Sequence, residues 1–147
     1  MKTVIKLASG VVAVMTLIGD ADEAEAIKKW KLANPGEYVS HRQMSDEVIP
    51  ADRTFRNAWA DTTLELTIDV DMDKARNIHL ESIRIKRNAE LSKLDIQATK
   101  AQDIGDAETL AQIRARKQEL RDLPATLAPT LASAASVDAL KAIQPLE

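Results

Sequence analysis

A chain of 147 residues has room for one ordinary domain, or for a small domain with a helical appendage, and not for two full-sized ones. Its 45% apolar and 29% charged residues predict a folded chain, while a net charge of −3 argues against general nucleic-acid affinity, which needs a concentrated excess of Lys and Arg. The absence of cysteine excludes disulfides, thiolate nucleophiles and cysteine metal sites.

The chain begins MKTVIKLASGVVAVMTLI, where Lys2 and Lys6 ahead of an apolar run imitate a secretory leader. Ser9-Gly10 interrupts that run, so the favoured reading is a β-turn joining a strand over 3–8 to one over 11–17. The run is also too short and too interrupted to cross a bilayer. Asp20 or Asp22 then caps a predicted helix ending near Ala33. Glu23 and Glu25 stand at its positive end, and Lys28, Lys29 and Lys31 at the other. Asn34-Pro35-Gly36 stops the helix, and residues 37–42 alternate like a short strand. A second extended run is predicted over 64–70, with Leu64, Leu66, Ile68 and Val70 on one side.

From Asp71 the pattern becomes helical. Asp71 or Asp73 is the predicted N-cap, and neither glycine nor proline recurs until Gly105. Leu80, Ile83, Leu91, Leu94, Ala98 and Ala101 form one stripe, interrupted at Arg87. Ile104-Gly105-Asp106 supplies a C-cap and a new N-cap, and Leu110, Ile113 and Leu120 form a second stripe interrupted at Lys117. The expected product is an antiparallel helical hairpin. Arg87 and Lys117 either make polar contacts within the hairpin, meet a partner's carboxylate, or lay their stems on the core edge and reach water; the last is favoured. Leu123-Pro124 is expected to end the second helix. Pro129 is expected to start a short one, and Ser136 to cap another over 137–143, giving a helical clasp.

No motif carries catalysis. His41 and His79 lie in different predicted elements, and Asp73 and Glu81 fall off the face of His79, so no metal set is expected. Asp69, Asp71 and Asp73 imitate the start of a calcium loop, but Lys74 stands where its glycine belongs and Leu80 where its glutamate belongs. Capping explains these aspartates. Four glycines form no phosphate loop, and no nucleophile elbow occurs, so the chain is read as a non-enzyme without catalytic residues, cofactor or metal. The basic run Arg84, Lys86, Arg87 is diluted by Glu81 and Glu90 and reads as a solvated face.

One stretch stands out. IPADRTFRNAW, residues 49–59, gathers two arginines and two aromatics in a chain with few aromatics. Together with IDVDMDKARNIHLESIRIKR, LSKLD, GDAETLAQIRARKQELRDLP and SVDALKAIQP, it resembles a family of small bacteriophage proteins encoded with tail and tail-fibre genes. The resemblance spans residues 48–145 and departs at Leu80, where that family commonly has arginine; the first 47 residues do not match. It implies a virion component, or a helper of its assembly in the host cytoplasm, and transfers no catalytic residue. Its partners would be other tail or tail-fibre proteins and further copies of itself in a symmetric assembly; the interrupted apolar run argues against a membrane and the net charge against nucleic acid as a partner. The resemblance also suggests why the stretch exists: Pro50 and Asp52 make the turn out of the N-terminal domain. Phe55 and Trp59, four apart, form an apolar knob that seals a joint to the hairpin or, as the alternative, docks a partner. Arg53 and Arg56 flank it.

The expected architecture is therefore α+β: a small antiparallel sheet with one helix over 1–48, a linker motif and strand over 49–70, and a helical hairpin with short C-terminal helices over 71–147. Candidate interaction or joint residues are Arg53, Phe55, Arg56, Trp59, Arg87 and Lys117. The expected role is a tail or tail-fibre structural protein working through protein contacts. The alternatives are a tail-fibre assembly chaperone, marked by an exposed apolar stripe, and a small nucleic-acid-binding regulator using Arg84, Lys86, Arg87, Arg114 and Arg116.

Overall fold

The computed structural model describes residues 1–61 and 67–146 and has the expected α+β class. The chain forms two compact units, Met1–Ala75 and Arg76–Glu147.

In the first unit, β1 (Lys2–Leu7), β2 (Val12–Met15) and β3 (Tyr38–Met44) form an antiparallel sheet in the order β2-β1-β3. The turn between β1 and β2 needs the left-handed φ of +78° that Gly10 adopts, and it closes with a bond from Gly10 N–H to the Leu7 carbonyl. α1 (Glu23–Ala33) starts at Asp22, whose carboxylate accepts the Ala24 N–H at 3.0 Å. Its last turn is finished by Asn34, whose side chain donates to the Trp30 carbonyl.

Register assigns the two faces of this sheet. Thr3 lies opposite Met15 and Gln43, and Val4 opposite Val14 and Arg42, so the two sets point to opposite sides. On the first side, Glu23 at the start of α1 accepts from Thr3 Oγ1 at 2.6 Å and from Gln43 Nε2 at 2.7 Å. Those two bonds, Thr3 first, hold the Glu23 carboxyl below its ordinary value. On the second side, Val4, Val12 and Met44 close a core with Ile49, Trp59 and Ile68.

β4 (Trp59–Asp61) and β5 (Ile68–Val70) form a separate antiparallel pair with Trp59 opposite Val70. Ile68 is buried and Asp69 exposed, as the period of two requires; the expected strand residues 64–66 lie outside the described residues. Residues 49–61 and 67–75 thus fall in the same compact unit as the three-stranded sheet.

α2 (Met72–Asp103) begins in the first unit and continues through the second. Asp71 is its cap, accepting the Asp73 and Lys74 N–H groups at 3.1 Å each. Gly105, at φ +71°, ends it, and Asp106 caps α3 (Ala107–Ser133) by accepting from Thr109 N and Oγ1. Leu94 and Ala101 of α2 pack with Ile113 and Leu120 of α3, joined by Leu91, Ala98 and Leu110, which is the predicted hairpin.

The second helix does not stop at Leu123-Pro124, and Pro129 starts nothing. α3 passes through both prolines to Ser133. Each proline forgoes one i→i−4 bond, but the intervening residues are mostly Ala and Leu, and the inward stripe of Ile113 and Leu120 continues with unbroken spacing through Leu127, Leu131 and Ala134. Burial of that stripe outweighs two local defects. Ser136 then caps α4 (Val137–Lys141), whose Leu140 is fully buried. The clasp is tied to α2 at two points: Arg76 Nη2 donates to the Ala134 carbonyl at 2.9 Å, and His79 Nε2 donates to the Ile143 carbonyl at 2.8 Å.

Two outcomes follow. Pro129 is exposed, so Pro129→Ala restores a helix bond at little packing cost and should raise unfolding free energy by about 1–3 kcal/mol in urea titration; a loss would show that the ring is needed for the path of α3. A folded-state pKa below the unfolded one means that Glu23 stabilises the fold above pH 4.5, its ordinary value, and that this stabilisation disappears as pH falls through the lowered value. The stability gap between wild type and Glu23→Gln should therefore be open at pH 7 and close below pH 4.5. A gap of constant size across that range would count against the Thr3–Glu23 bond.

Candidate functional site

The motif over 49–59 folds as a series of tight turns. Ile49 is buried, and Asp52 Oδ1 accepts from both the N–H and the hydroxyl of Thr54, which fixes an Asx turn. Arg56 N–H then bonds the Arg53 carbonyl and Ala58 N–H the Phe55 carbonyl, so a 3₁₀ turn over Arg56–Ala58 delivers the chain into β4. These turns sort the side chains. Phe55 and Trp59 point inward, 3% and 4% exposed, while Arg53, Arg56 and Asn57 stay at the surface.

Beside them lies a groove of about 310 Å³. Leu7 and the β2 segment Val11–Val14 supply an apolar wall, and Arg53, Arg56, Asn57 and Trp59 supply the other. Among the described residues no Asp or Glu lines it, and neither guanidinium is engaged in an ion pair. The indole Nε1 of Trp59 is buried without a hydrogen-bond partner, a deficit of roughly 1–3 kcal/mol for a neutral donor. The exposed Arg53, Arg56 and Asn57 make the polar wall rich in donors, whose natural complement is a carboxylate or another anion.

One ion pair holds β4, and with it this wall, against the sheet. Arg42 of β3 grips Asp61 of β4 with both terminal nitrogens, the Nη1–Oδ2 bond at 2.9 Å and a second, shorter one from Nη2 to Oδ1. The Asp61 side chain is 4% exposed and that of Arg42 22%. Sequence pattern gave no warning of this pair, because Arg42 falls in a short alternating strand and Asp61 lies nineteen positions away with no pattern joining the two.

Of the six candidate residues, Arg53, Arg56 and Trp59 meet at the groove, and Phe55 is buried within the same motif. Trp59 packs in the core with Val4, Val12, Met44, Ile49 and Ile68, all residues of the first unit. Arg87 and Lys117 belong to the other unit. Lys117 buries its stem and reaches Asp95 on α2, so the interruption in the α3 stripe is a polar contact inside the hairpin as well as a stem on the core edge. Arg87 bonds its neighbour Asn88 from Nε and Nη2. Of the other basic residues on these helices, Arg84 pairs with Glu81 and Arg116 with Glu119.

His41 Nδ1 lies 2.7 Å from the Tyr38 hydroxyl, and Asp69, Asp71 and Asp73 are occupied by local backbone and capping roles or outward exposure. Among the described residues no group of three His, Asp or Glu side chains is placed to hold a metal ion, and no helix is long and apolar enough to cross a membrane. Comparison with protein-family models, with curated proteins and with solved structures finds no match to this chain.

Asp61→Asn leaves the half-buried Arg42 facing a neutral amide, and the expected loss is about 2–4 kcal/mol of unfolding free energy, measured by denaturant titration. A loss under about 1 kcal/mol would mean that Trp59 burial alone places β4.

Proposed function

We propose that this protein is a non-enzymatic bacteriophage tail or tail-fibre-associated component that works by binding other tail proteins, and that the Arg53–Arg56 groove receives a carboxylate-bearing segment of one of them. The observation that supports the docking role is the groove itself: two guanidinium groups in no ion pair and an amide beside an apolar wall, with no acidic residue among the described lining side chains. Charged hydrogen bonds to a carboxylate would use the arginines, and the Leu7–Val14 wall would take the apolar neighbours of that carboxylate. The assignment to phage tails rests on the resemblance over residues 48–145, which centres on the stretch that forms the groove. The protein would act in the virion, or in the host cytoplasm while the tail is built, with no cofactor.

A tail-fibre assembly chaperone is the second reading. Exposed Ile85 and Ile96 on α2 favour it, since apolar side chains held in water are what a transient client would cover.

Quantitative mass spectrometry of purified phage particles tests the assignment. A fixed ratio to a major tail protein across density fractions is expected. Absence from particles, with abundance in infected-cell lysate, would overturn the virion role and leave the chaperone. The groove has its own test: Arg53→Glu with Arg56→Glu should remove the protein from particles while its circular dichroism is unchanged, and undiminished incorporation would mean that the groove is not the docking site.

A further inference from the structure

The helix α2 has two long stripes. The first, through Leu80, Ile83, Leu94 and Ala101, includes the residues that pack on α3. At about 100° per residue, a second stripe lies roughly 180° away around the helix, on its back. It runs Ile78, Ser82, Ile85, Ala89, Ser92 and Ile96, with alternating spacings of four and three, and extends to Thr99. Ile78 is partly buried; the others are exposed, Ile85 at 65% and Ile96 at 60%.

A solvated helix face carries charge, and the rest of α2 is dense with it. This stripe carries none from residue 78 to residue 99. Its spacing is the heptad spacing of a coiled-coil seam, and α3 occupies the opposite side.

The rims of the seam say what would cover it. One rim holds Lys86, Lys93 and Lys100; the other holds Glu81, Asn88 and Asp95. In a parallel, in-register pair each residue of the second rim faces the residue five positions ahead on the other copy. That sets Glu81 against Lys86 of the partner copy, Asn88 against its Lys93, and Asp95 against its Lys100. An antiparallel pair sets the lysine rim against itself. We propose that α2 is the dimerisation element of this protein, pairing back to back with α2 of a second copy, parallel and in register, through the Ile78–Thr99 seam.

Existing contacts leave this available. Glu81 and Lys93 are held only by exposed pairs within their own helix, at 3.3 and 3.2 Å, and Asp95 remains 63% exposed while it binds Lys117. Ser82, Ala89 and Ser92 make the seam narrow, so the helices approach closely with modest apolar burial. The association is accordingly concentration-dependent, at a strength set by Ile78, Ile85 and Ile96. This inference stands apart from the tail assignment, because it uses only the chain's own helix.

Sedimentation equilibrium of the full chain over a wide concentration range is the test. A monomer–dimer equilibrium is expected, with Ile85→Asp plus Ile96→Asp raising Kd by about a hundredfold and leaving circular dichroism unchanged, since both positions face water in the monomer. Lys86→Glu plus Lys100→Glu should raise Kd about tenfold through repulsion with Glu81 and Asp95 of the other copy. The chain has no cysteine, so Ser82→Cys and Ser92→Cys each introduce a single thiol, and each should cross-link to itself under mild oxidation. A monomer at every concentration, including one whose isoleucines serve only to capture a client, overturns the proposal. So does a dimer indifferent to the isoleucine changes, or one in which Ser82→Cys fails to cross-link, as it would in an antiparallel pair.

Discussion

The burial of Trp59 is the constraint on which the first unit depends. The chain has only four aromatic side chains besides histidine, and a three-stranded sheet with one helix on one face leaves the other face to be covered by something large. Trp59 covers it, meeting Val4, Val12 and Met44 from the sheet and Ile49 and Ile68 from the chain on either side. Once the indole is placed, β4 is placed, and the Arg42–Asp61 pair then has its partner within reach. The order of cause matters. A buried ion pair seldom repays its own desolvation, so Arg42 and Asp61 fix the orientation of β4 more than they drive its docking.

The same burial explains why a motif rich in arginine and aromatic residues presents only its arginines. Asp52 fixes the first turn, and the 3₁₀ turn at Arg56–Ala58 holds Phe55 and Trp59 to one side. Arg53 and Arg56, three apart, are left on the other. The groove is thus a by-product of closing the core. Its donors face water because the residues that alternate with them were needed inside, and the Trp59 N–H is stranded because ring placement was decided by packing.

Much of this fold was legible in the sequence, and the legible parts share a cause. Strands β1 and β2, the Gly10 turn, α1 with its Asp22 cap, and the α2–α3 hairpin with its Gly105-Asp106 junction are set by neighbours within a few residues, so propensity, capping and periodicity carry them. What could not be read depends on residues far apart. The prolines at 124 and 129 look like stop signals, and only the continued burial of Leu131 and Ala134 overrides them. Trp59 belongs to the core of the sheet, which cannot be known until the strand order is known. Arg42–Asp61 spans nineteen positions and leaves no pattern in either segment. The groove was half legible: the motif named Arg53, Arg56 and Trp59, while the β2 wall that makes them a groove is a fact of tertiary structure.

The two faces of α2 illustrate how one helix can be over-determined on one side and unfinished on the other. Toward α3, each interruption of the stripe is resolved within the chain: Lys117 reaches Asp95 from the edge of the core, and Arg87 turns to Asn88. On the opposite side the serines and alanine keep the seam narrow and uncharged, yet among the described residues nothing covers Ile85 or Ile96. A helix that needed only to be soluble there would be served better by Lys or Glu at positions 85 and 96, which have equal or higher helix propensity than Ile and no apolar cost. Local stability therefore gives no reason for isoleucine at those two places. An intermolecular contact would give them a reason, and the segregated charges on either rim fit the parallel, in-register pairing proposed for α2 better than an antiparallel one.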